Sequence, residues 1–194
     1  MEMTYGRTLR LNEREFYRDI ADFQLEIAKR WNNRGPKNRD VFVKFFYYFA
    51  GFNSLYFLWR VLDNKKMGER KQIENLLRKL SKAKAEEILE KLNESVEYFH
   101  GRPIRKMIDR SPSKPGGDLD EGQELAKQLK NGSSLDRVIA LGRILYLIRS
   151  NLVHGSKGES GDDHEIVKQS IAPLKVLLEE AISLTEQERN RLRC

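Results

Sequence analysis

The segment from Asp40 to Leu62 restricts the fold more than any other part of the sequence. It is apolar on nearly every side of a helix, and a helix of this kind must be buried on most of its faces. Its most hydrophobic part, Phe45 to Trp59, contains Asn53 and is shorter than the ~20 residues that a membrane span requires. The segment is therefore predicted to be the central helix of a protein that has no membrane partner.

A spacing of three to four residues between apolar side chains recurs in the rest of the chain. It marks a first amphipathic helix through one apolar stripe, which consists of Phe16, Ile20, Phe23, Ile27 and Trp31. Further helices are predicted for residues 66–80, 82–99, 121–130, 134–154 and 162–193. Pro173 is expected to kink or divide the last helix. No convincing strand pair occurs, so the predicted fold class is all-α.

The chain has 194 residues, which suits a single domain over 1–194. Residues 1–11 show no helical period and are interpreted as an arm or a short strand. Residues 111–121 and 155–163 are rich in turn-forming residues and are predicted to be flexible loops within that domain.

The overall charge favours an anionic partner. The formal net charge is +7, and charge alone does not distinguish between RNA, DNA, nucleotides and an acidic membrane surface. The only cysteine is Cys194, so an intrachain disulfide is excluded and a reducing compartment is expected. The first residues are polar and lack the apolar core of a signal peptide. We therefore predict a cytoplasmic location.

The stretch from Ile148 to Lys157 holds the greatest concentration of reactive side chains, with Arg149, Asn151 and His154 within six positions. Arginine holds phosphate through a planar fork of donors, and histidine exchanges protons near neutral pH. Five residues advance a helix by about 500°, so Arg149 and His154 would lie about 140° apart on a regular helix. They can share a site if the helix ends between them or if a two-fold dimer surrounds one cleft with both copies.

Metal-free RNA cleavage would need such a combination of groups. A base takes the proton of the 2′-hydroxyl, an acid protonates the leaving 5′-oxygen, and a cation stabilises the charged transition state. One chain offers one histidine in this stretch, whereas a dimer offers two histidines and two arginines.

Residues 149–154, Arg-Ser-Asn-Leu-Val-His, resemble the R-x4–6-H motif of the HEPN superfamily. The aromatic run 45–59, with Asn53 expected to point inward, resembles the helix that faces this motif in several HEPN families. The resemblance implies an all-α helical bundle that forms a homodimer. It also implies a metal-independent endoribonuclease of prokaryotic defence or toxin–antitoxin systems, with no cofactor and with an antitoxin or effector protein as a further partner.

The same resemblance implies roles for individual residues. Arg149 would contact the scissile phosphate, His154 would transfer protons, and Asn151 would orient one of them. Ser150 stands where the family commonly has Asn, Asp or His, and it is assigned a supporting role together with Asn53. Basic side chains that would add phosphate contacts are Arg102, Arg105, Lys106 and Lys157.

Three other interpretations stay open. One is a non-catalytic HEPN-like module that binds RNA, a nucleotide or a protein partner. Another is a metal-dependent nuclease built on Asp162, Asp163 and His164, although polar capping of a helix start explains these residues more simply. In the third, His154 interacts with the last carbonyls of its helix and Arg149 lies on a solvated surface.

Overall fold

The computed structural model describes residues 11–104, 119–153 and 161–192. Within these ranges it contains helices and no strand, which confirms the all-α class for this part of the chain. The α-helices are α1 (Leu11–Arg34), α2 (Val41–Leu62), α3 (Glu69–Leu77), α4 (Lys82–Lys91), α5 (Asn93–Gly101), α6 (Leu119–Asn131), α7 (Ser134–Val153) and α8 (Gly161–Arg191), and a short 3₁₀ turn, Gly35–Lys37, follows α1.

The predicted helices are present, with two differences. The helix expected over 82–99 is divided into α4 and α5, because Leu92 leaves helical geometry (φ −111°, ψ 18°). The last helix, which was expected to kink or divide at Pro173, is not divided there and forms one continuous element, α8. A proline inside a helix removes one hydrogen bond, and the many contacts of α8 with neighbouring helices hold it together.

The loop boundaries also need correction. Helix α6 begins at Leu119 and helix α8 at Gly161, inside the loops predicted over 111–121 and 155–163. Leu11, assigned to the N-terminal arm, is the first residue of α1. The rest of the predicted arm and loops, residues 1–10, 111–118 and 155–160, lies outside the described residues.

Helix α2 occupies the centre of the bundle, as predicted. It packs against α1, α3 and α8, and its buried side chains include Phe45, Phe52 and Tyr56. The Asp40 carboxylate caps its start by accepting hydrogen bonds from the backbone N–H groups of Phe42 and Val43 at 2.8 and 3.1 Å. Within the described residues, α2 alone is long and apolar enough to cross a membrane, and half of its most apolar window is buried inside the bundle.

Helices α1 and α2 pack closely in antiparallel directions. A Cβ atom on Gly51 would lie 3.2 Å from the carbonyl oxygen of Ala28, which is closer than most side chains tolerate. One turn later, the Ser54 hydroxyl donates to the carbonyl oxygen of Gln24 at 3.4 Å. Small side chains at the contact therefore let the two backbones approach each other.

The apolar stripe of α1 is only partly buried: Ile20, Ile27 and Trp31 are half-buried, and its two phenylalanines lie at the surface. An amphipathic helix ordinarily turns such a stripe to the core, yet the exposed fractions of Phe16 and Phe23 are 59% and 63%. The buried side of α1 consists instead of Ala21, Leu25 and Ala28. These smaller residues allow the close packing against α2, which leaves the rings of Phe16 and Phe23 outside.

The inward orientation predicted for Asn53 is wrong. Asn53 is exposed on α2, on the same side as the exposed rings of Phe46 and Phe57. Burying an amide without partners costs free energy. A helix that is apolar all round gives no periodic signal for its outer side, and here the side that carries Asn53 faces solvent.

Candidate functional site

Arg149 lies on α7, one turn before the helix ends at Val153. The central carbon of its guanidinium is 5.7 Å from the centroid of the Phe49 ring on α2. Its Nη1 atom is 3.7 Å from Oε2 of Glu69, and its side chain is 32% exposed. The guanidinium is therefore held between an aromatic ring and a carboxylate while part of it reaches solvent.

A buried tyrosine holds Glu69 from the other side. The hydroxyl of Tyr56 donates a hydrogen bond to Oε1 of Glu69. Burial, together with the hydrogen bond and charge of Glu69, raises the pKa of Tyr56, so the phenol stays protonated and acts as a donor. Glu69 is the first residue of α3, where the helix dipole also favours a carboxylate. We call Phe49, Tyr56, Glu69 and Arg149 the Arg149 cluster.

The charges next to the Arg149 cluster are largely balanced. Arg143, two turns earlier on α7, lies 2.8 Å from Glu121 and 3.5 Å from Glu74. Arg70 lies 2.9 Å from Glu121 and also stacks over Tyr146, with 5.7 Å between its central carbon and the ring centroid. Each arginine here already has a carboxylate partner, so an incoming phosphate would compete with carboxylates for the guanidinium groups.

Asn151 and Arg149 lie on different sides of α7. Asn151 is 1% exposed, and two residues advance a helix by about 200°, so its amide lies on the interior side of α7. Ser150, which stands between them in the sequence, is half-buried. Asn53 is exposed one turn after Phe49 on α2, which places it at the edge of the Arg149 cluster.

The predicted phosphate-binding residues are only partly described. Arg105, Lys106 and Lys157 lie outside the described residues, as does His154, so their predicted roles stay predictions. Arg102 is exposed at the end of α5 and donates a 3.3 Å hydrogen bond to the hydroxyl of Tyr98. That bond, with nearby Asp162, raises the pKa of Arg102. These partners belong to α5 and to the start of α8, rather than to the Arg149 cluster.

The side chains of the alternative metal site diverge. Asp163 is buried, whereas Asp162 and His164 are exposed. The His164 ring lies against Phe42, with 6.1 Å between ring centroids. Among the residues that the structure describes, no three His, Cys, Asp or Glu side chains are grouped in a way that could hold a metal ion.

Sequence reasoning missed Tyr56 and Glu69. Both are far from Arg149 along the chain, and their association depends on how α2, α3 and α7 pack. The only local signal was an acidic residue at a helix start, which the helix dipole explains without any site.

Comparison with protein-family models, with curated proteins and with solved structures finds no match for this chain. The resemblance to HEPN proteins is therefore the one carried by residues 45–59 and 149–154 of the sequence.

Proposed function

We propose that this protein is a HEPN-type endoribonuclease that acts as a homodimer and cleaves RNA without a metal, leaving 2′,3′-cyclic phosphate and 5′-hydroxyl ends. The observation that carries the proposal is the placement of Arg149. Its guanidinium is partly exposed, is supported by Phe49 and Glu69, and lies near the end of α7. The motif histidine, His154, directly follows the last helical residue in the sequence.

The proposed reaction divides the work between these two residues. Arg149 binds the non-bridging oxygens of the scissile phosphate and stabilises the negative charge that develops in the transition state. A histidine accepts the proton of the 2′-hydroxyl as that oxygen bonds to phosphorus. The bond from phosphorus to the 5′-oxygen breaks, and that oxygen takes up a proton from a second acid. In a dimer the two copies of His154 supply the base and the acid.

The polar residues around the motif take supporting roles in this proposal. Asn151, buried in α7, would hold the end of the helix that presents Arg149. Asn53 and Ser150 border the Arg149 cluster and would contact the RNA backbone. Arg102, Arg105, Lys106 and Lys157 would add sequence-independent phosphate contacts. The setting would be cytoplasmic defence or a toxin–antitoxin pair, with an antitoxin or effector protein as a further partner.

A second candidate is a binding module without catalytic activity. The ion pair between Arg149 and Glu69 favours it, because a structural arginine would be paired in the same way. The exposed aromatic side chains of α1 and α2 also favour it, because large exposed apolar areas often mark contacts with other proteins.

The two candidates are separated by RNA cleavage in excess EDTA. The protein and three variants would be incubated with a structured RNA: Arg149→Ala, His154→Ala, and Arg78→Ala as a matched control at an exposed arginine that directly follows α3. We expect cyclic-phosphate products from the unchanged protein and from Arg78→Ala. Rates should fall by about a hundredfold or more in the other two variants. Equal activity in all four would contradict the assigned site, and RNA binding without cleavage in all four would favour the binding module.

A further inference from the structure

A second arginine stacks on a phenylalanine of α2. The central carbon of the Arg60 guanidinium is 4.7 Å from the centroid of the Phe57 ring, just as that of Arg149 is 5.7 Å from the Phe49 ring. The two rings are separated by about 12 Å along the axis of α2, because each residue advances a helix by about 1.5 Å. One helix therefore supports two arginine side chains, at a separation that a few nucleotides of a single strand can span.

Arg60 lies close to the Arg149 cluster on the surface of α2. Tyr56, a member of that cluster, precedes Arg60 by one turn, so the two side chains differ by about 40° around the helix and by about 6 Å along it. Asn53 and Phe57 are exposed on the same side of α2. An RNA strand bound at Arg149 therefore finds an exposed stretch of α2 that leads to Arg60.

The turn after α2 brings two lysines next to Arg60. Asn64 has a left-handed backbone conformation (φ 47°), which asparagine adopts more readily than most residues. The backbone N–H of Lys65 then donates to the carbonyl oxygen of Arg60 at 3.2 Å, as in the Schellman motif at helix ends. Lys65 and Lys66 are both exposed. We call Phe57, Arg60, Lys65 and Lys66 the Arg60 cluster.

The cations of the Arg60 cluster are not balanced by carboxylates. In the part of the chain that the structure describes, Arg60, Lys65 and Lys66 form no ion pair. The adjacent acidic residue, Asp63, is paired with Lys79 instead, with 3.0 Å between Oδ2 and Nζ. The helix dipole contributes only about half a negative charge at this end of α2. Like charges that are close together repel each other, so this grouping favours an anionic ligand, which would displace no carboxylate.

We infer that the Arg60 cluster is a binding subsite for single-stranded RNA beside the scissile phosphate. Arg60, Lys65 and Lys66 bind phosphate oxygens of neighbouring nucleotides. Phe57, which is 41% exposed, holds the Arg60 guanidinium and presents the rest of its ring to a base. The position beside the scissile phosphate rests on the proposed function, whereas RNA binding by these residues can be measured without any cleavage.

The exposed ring indicates a single strand rather than a duplex. An aromatic side chain stacks on the face of a base, and that face is accessible only where the base is not stacked inside a helix. A duplex offers the same phosphates to the three cations but does not offer the faces of its bases. Loss of the Phe57 ring should therefore affect the binding of single strands alone.

Binding of an RNA that cannot be cleaved tests the subsite separately from catalysis. A labelled single strand with 2′-O-methyl groups throughout would be titrated with the full chain at several salt concentrations, and fluorescence anisotropy would be followed. Replacement of Arg60, Lys65 and Lys66 by alanine together should weaken binding at least about tenfold. It should also lower the slope of log affinity against log salt by about 2, because each phosphate contact on a single strand contributes about 0.7.

A matched control removes the same charge elsewhere. Its three alanine substitutions are at exposed residues that form no ion pair within the described ranges, Arg78, Lys127 and Lys130. This control should weaken binding about twofold or less, because long-range attraction between exposed charges is screened by salt. Equal losses in the two triple variants would overturn the inference, since the effect would then depend on net charge and not on the Arg60 cluster.

The Phe57 ring tests the preference for single strands. Phe57→Ala should weaken binding of the single strand about tenfold, and binding of the same RNA annealed to its complement about twofold or less. Phe46→Ala removes another ring of similar exposure from α2 (39%), on which no arginine of the described residues stacks, and should change either affinity about twofold or less. Circular dichroism would show that both variants keep their helices. Equal losses for single strand and duplex would refute the assignment to single strands.

Cleavage kinetics separate this inference from the proposed function. With a cleavable single strand in excess EDTA, the triple variant of the Arg60 cluster should raise KM at least about tenfold, whereas Arg149→Ala should lower kcat. An unchanged KM in the triple variant would refute the subsite and leave the proposed cleavage standing. If the unchanged protein binds RNA through the Arg60 cluster but cleaves none, the proposed cleavage is refuted and the RNA-binding subsite stands.

Discussion

The guanidinium of Arg149 and the ring of Phe49 join the end of α7 to the middle of α2, with 5.7 Å between the central carbon and the ring centroid. The contact holds a partly exposed cation against the central helix of the bundle. Glu69 pairs with the same guanidinium. The Phe49 ring and the Glu69 carboxylate therefore both restrict the direction in which the Arg149 side chain points.

Replacing Glu69 by glutamine should strengthen RNA binding several-fold at low salt. The carboxylate lies 3.7 Å from the Arg149 guanidinium and competes with phosphate for it, and the amide keeps the shape without the charge. Fluorescence anisotropy with a labelled single-stranded RNA would measure the change. Glu74→Gln is the matched control, because Glu74 is on the same helix, is similarly exposed and pairs with Arg143. Weaker binding by Glu69→Gln alone would show that the carboxylate is needed to position Arg149.

Replacing Tyr56 by phenylalanine should lower the free energy of unfolding by about 2 kcal/mol, because the hydrogen bond that this buried tyrosine donates to the partly exposed Glu69 carboxylate is lost. Urea unfolding would measure this. Tyr98→Phe removes a tyrosine hydroxyl that bonds to Arg102 at the surface, and it should change the free energy by less than about 0.5 kcal/mol. Equal effects of the two substitutions would mean that the bond between Tyr56 and Glu69 contributes nothing to stability.

Replacing Asn151 by alanine should also destabilise the fold, by about 2 kcal/mol, because its amide is buried on the interior side of α7. Ser150→Ala, at the neighbouring half-buried position, should have an effect within about 0.5 kcal/mol. Thermal unfolding gives the comparison. If Asn151→Ala unfolds at the same temperature as the unchanged protein and yet cleaves RNA far more slowly, then Asn151 acts in the reaction itself and does not act by stabilising α7.

The sequence was sufficient to predict the helices and the central position of α2, because apolar spacing is a local property of each segment. It was insufficient to predict which side of a helix is buried. Phe16 and Phe23 share one side of α1, but the close approach of Ala28 to Gly51 turns the opposite side to the core. The same limit explains the wrong inward orientation of Asn53.

The Arg149 cluster was predicted only in part. A motif at the end of a helix predicted Arg149 and His154 as site residues. Residue spacing along one segment, however, carries no information about contacts with residues of another segment. Glu69 and Tyr56 reach Arg149 only through the packing of three helices. Their side chains are also common types at ordinary positions, which gave no reason to separate them from other charged or aromatic residues.

Pro173 has a consequence for the way in which α8 opens. A proline has no backbone N–H, so the carbonyl of Gln169 lacks its usual donor and the hydrogen-bond ladder is interrupted inside a 31-residue helix. Beyond that point the helix is fastened to its neighbours by Trp59 with Thr185 at 3.1 Å and by Lys29 with Glu186 at 2.6 Å. Amide hydrogens before the proline should therefore exchange with solvent sooner than those after it. Because residues 154–160 join α7 to the earlier half, the segment that carries His154 is attached to the part of α8 that opens at the lower free-energy cost.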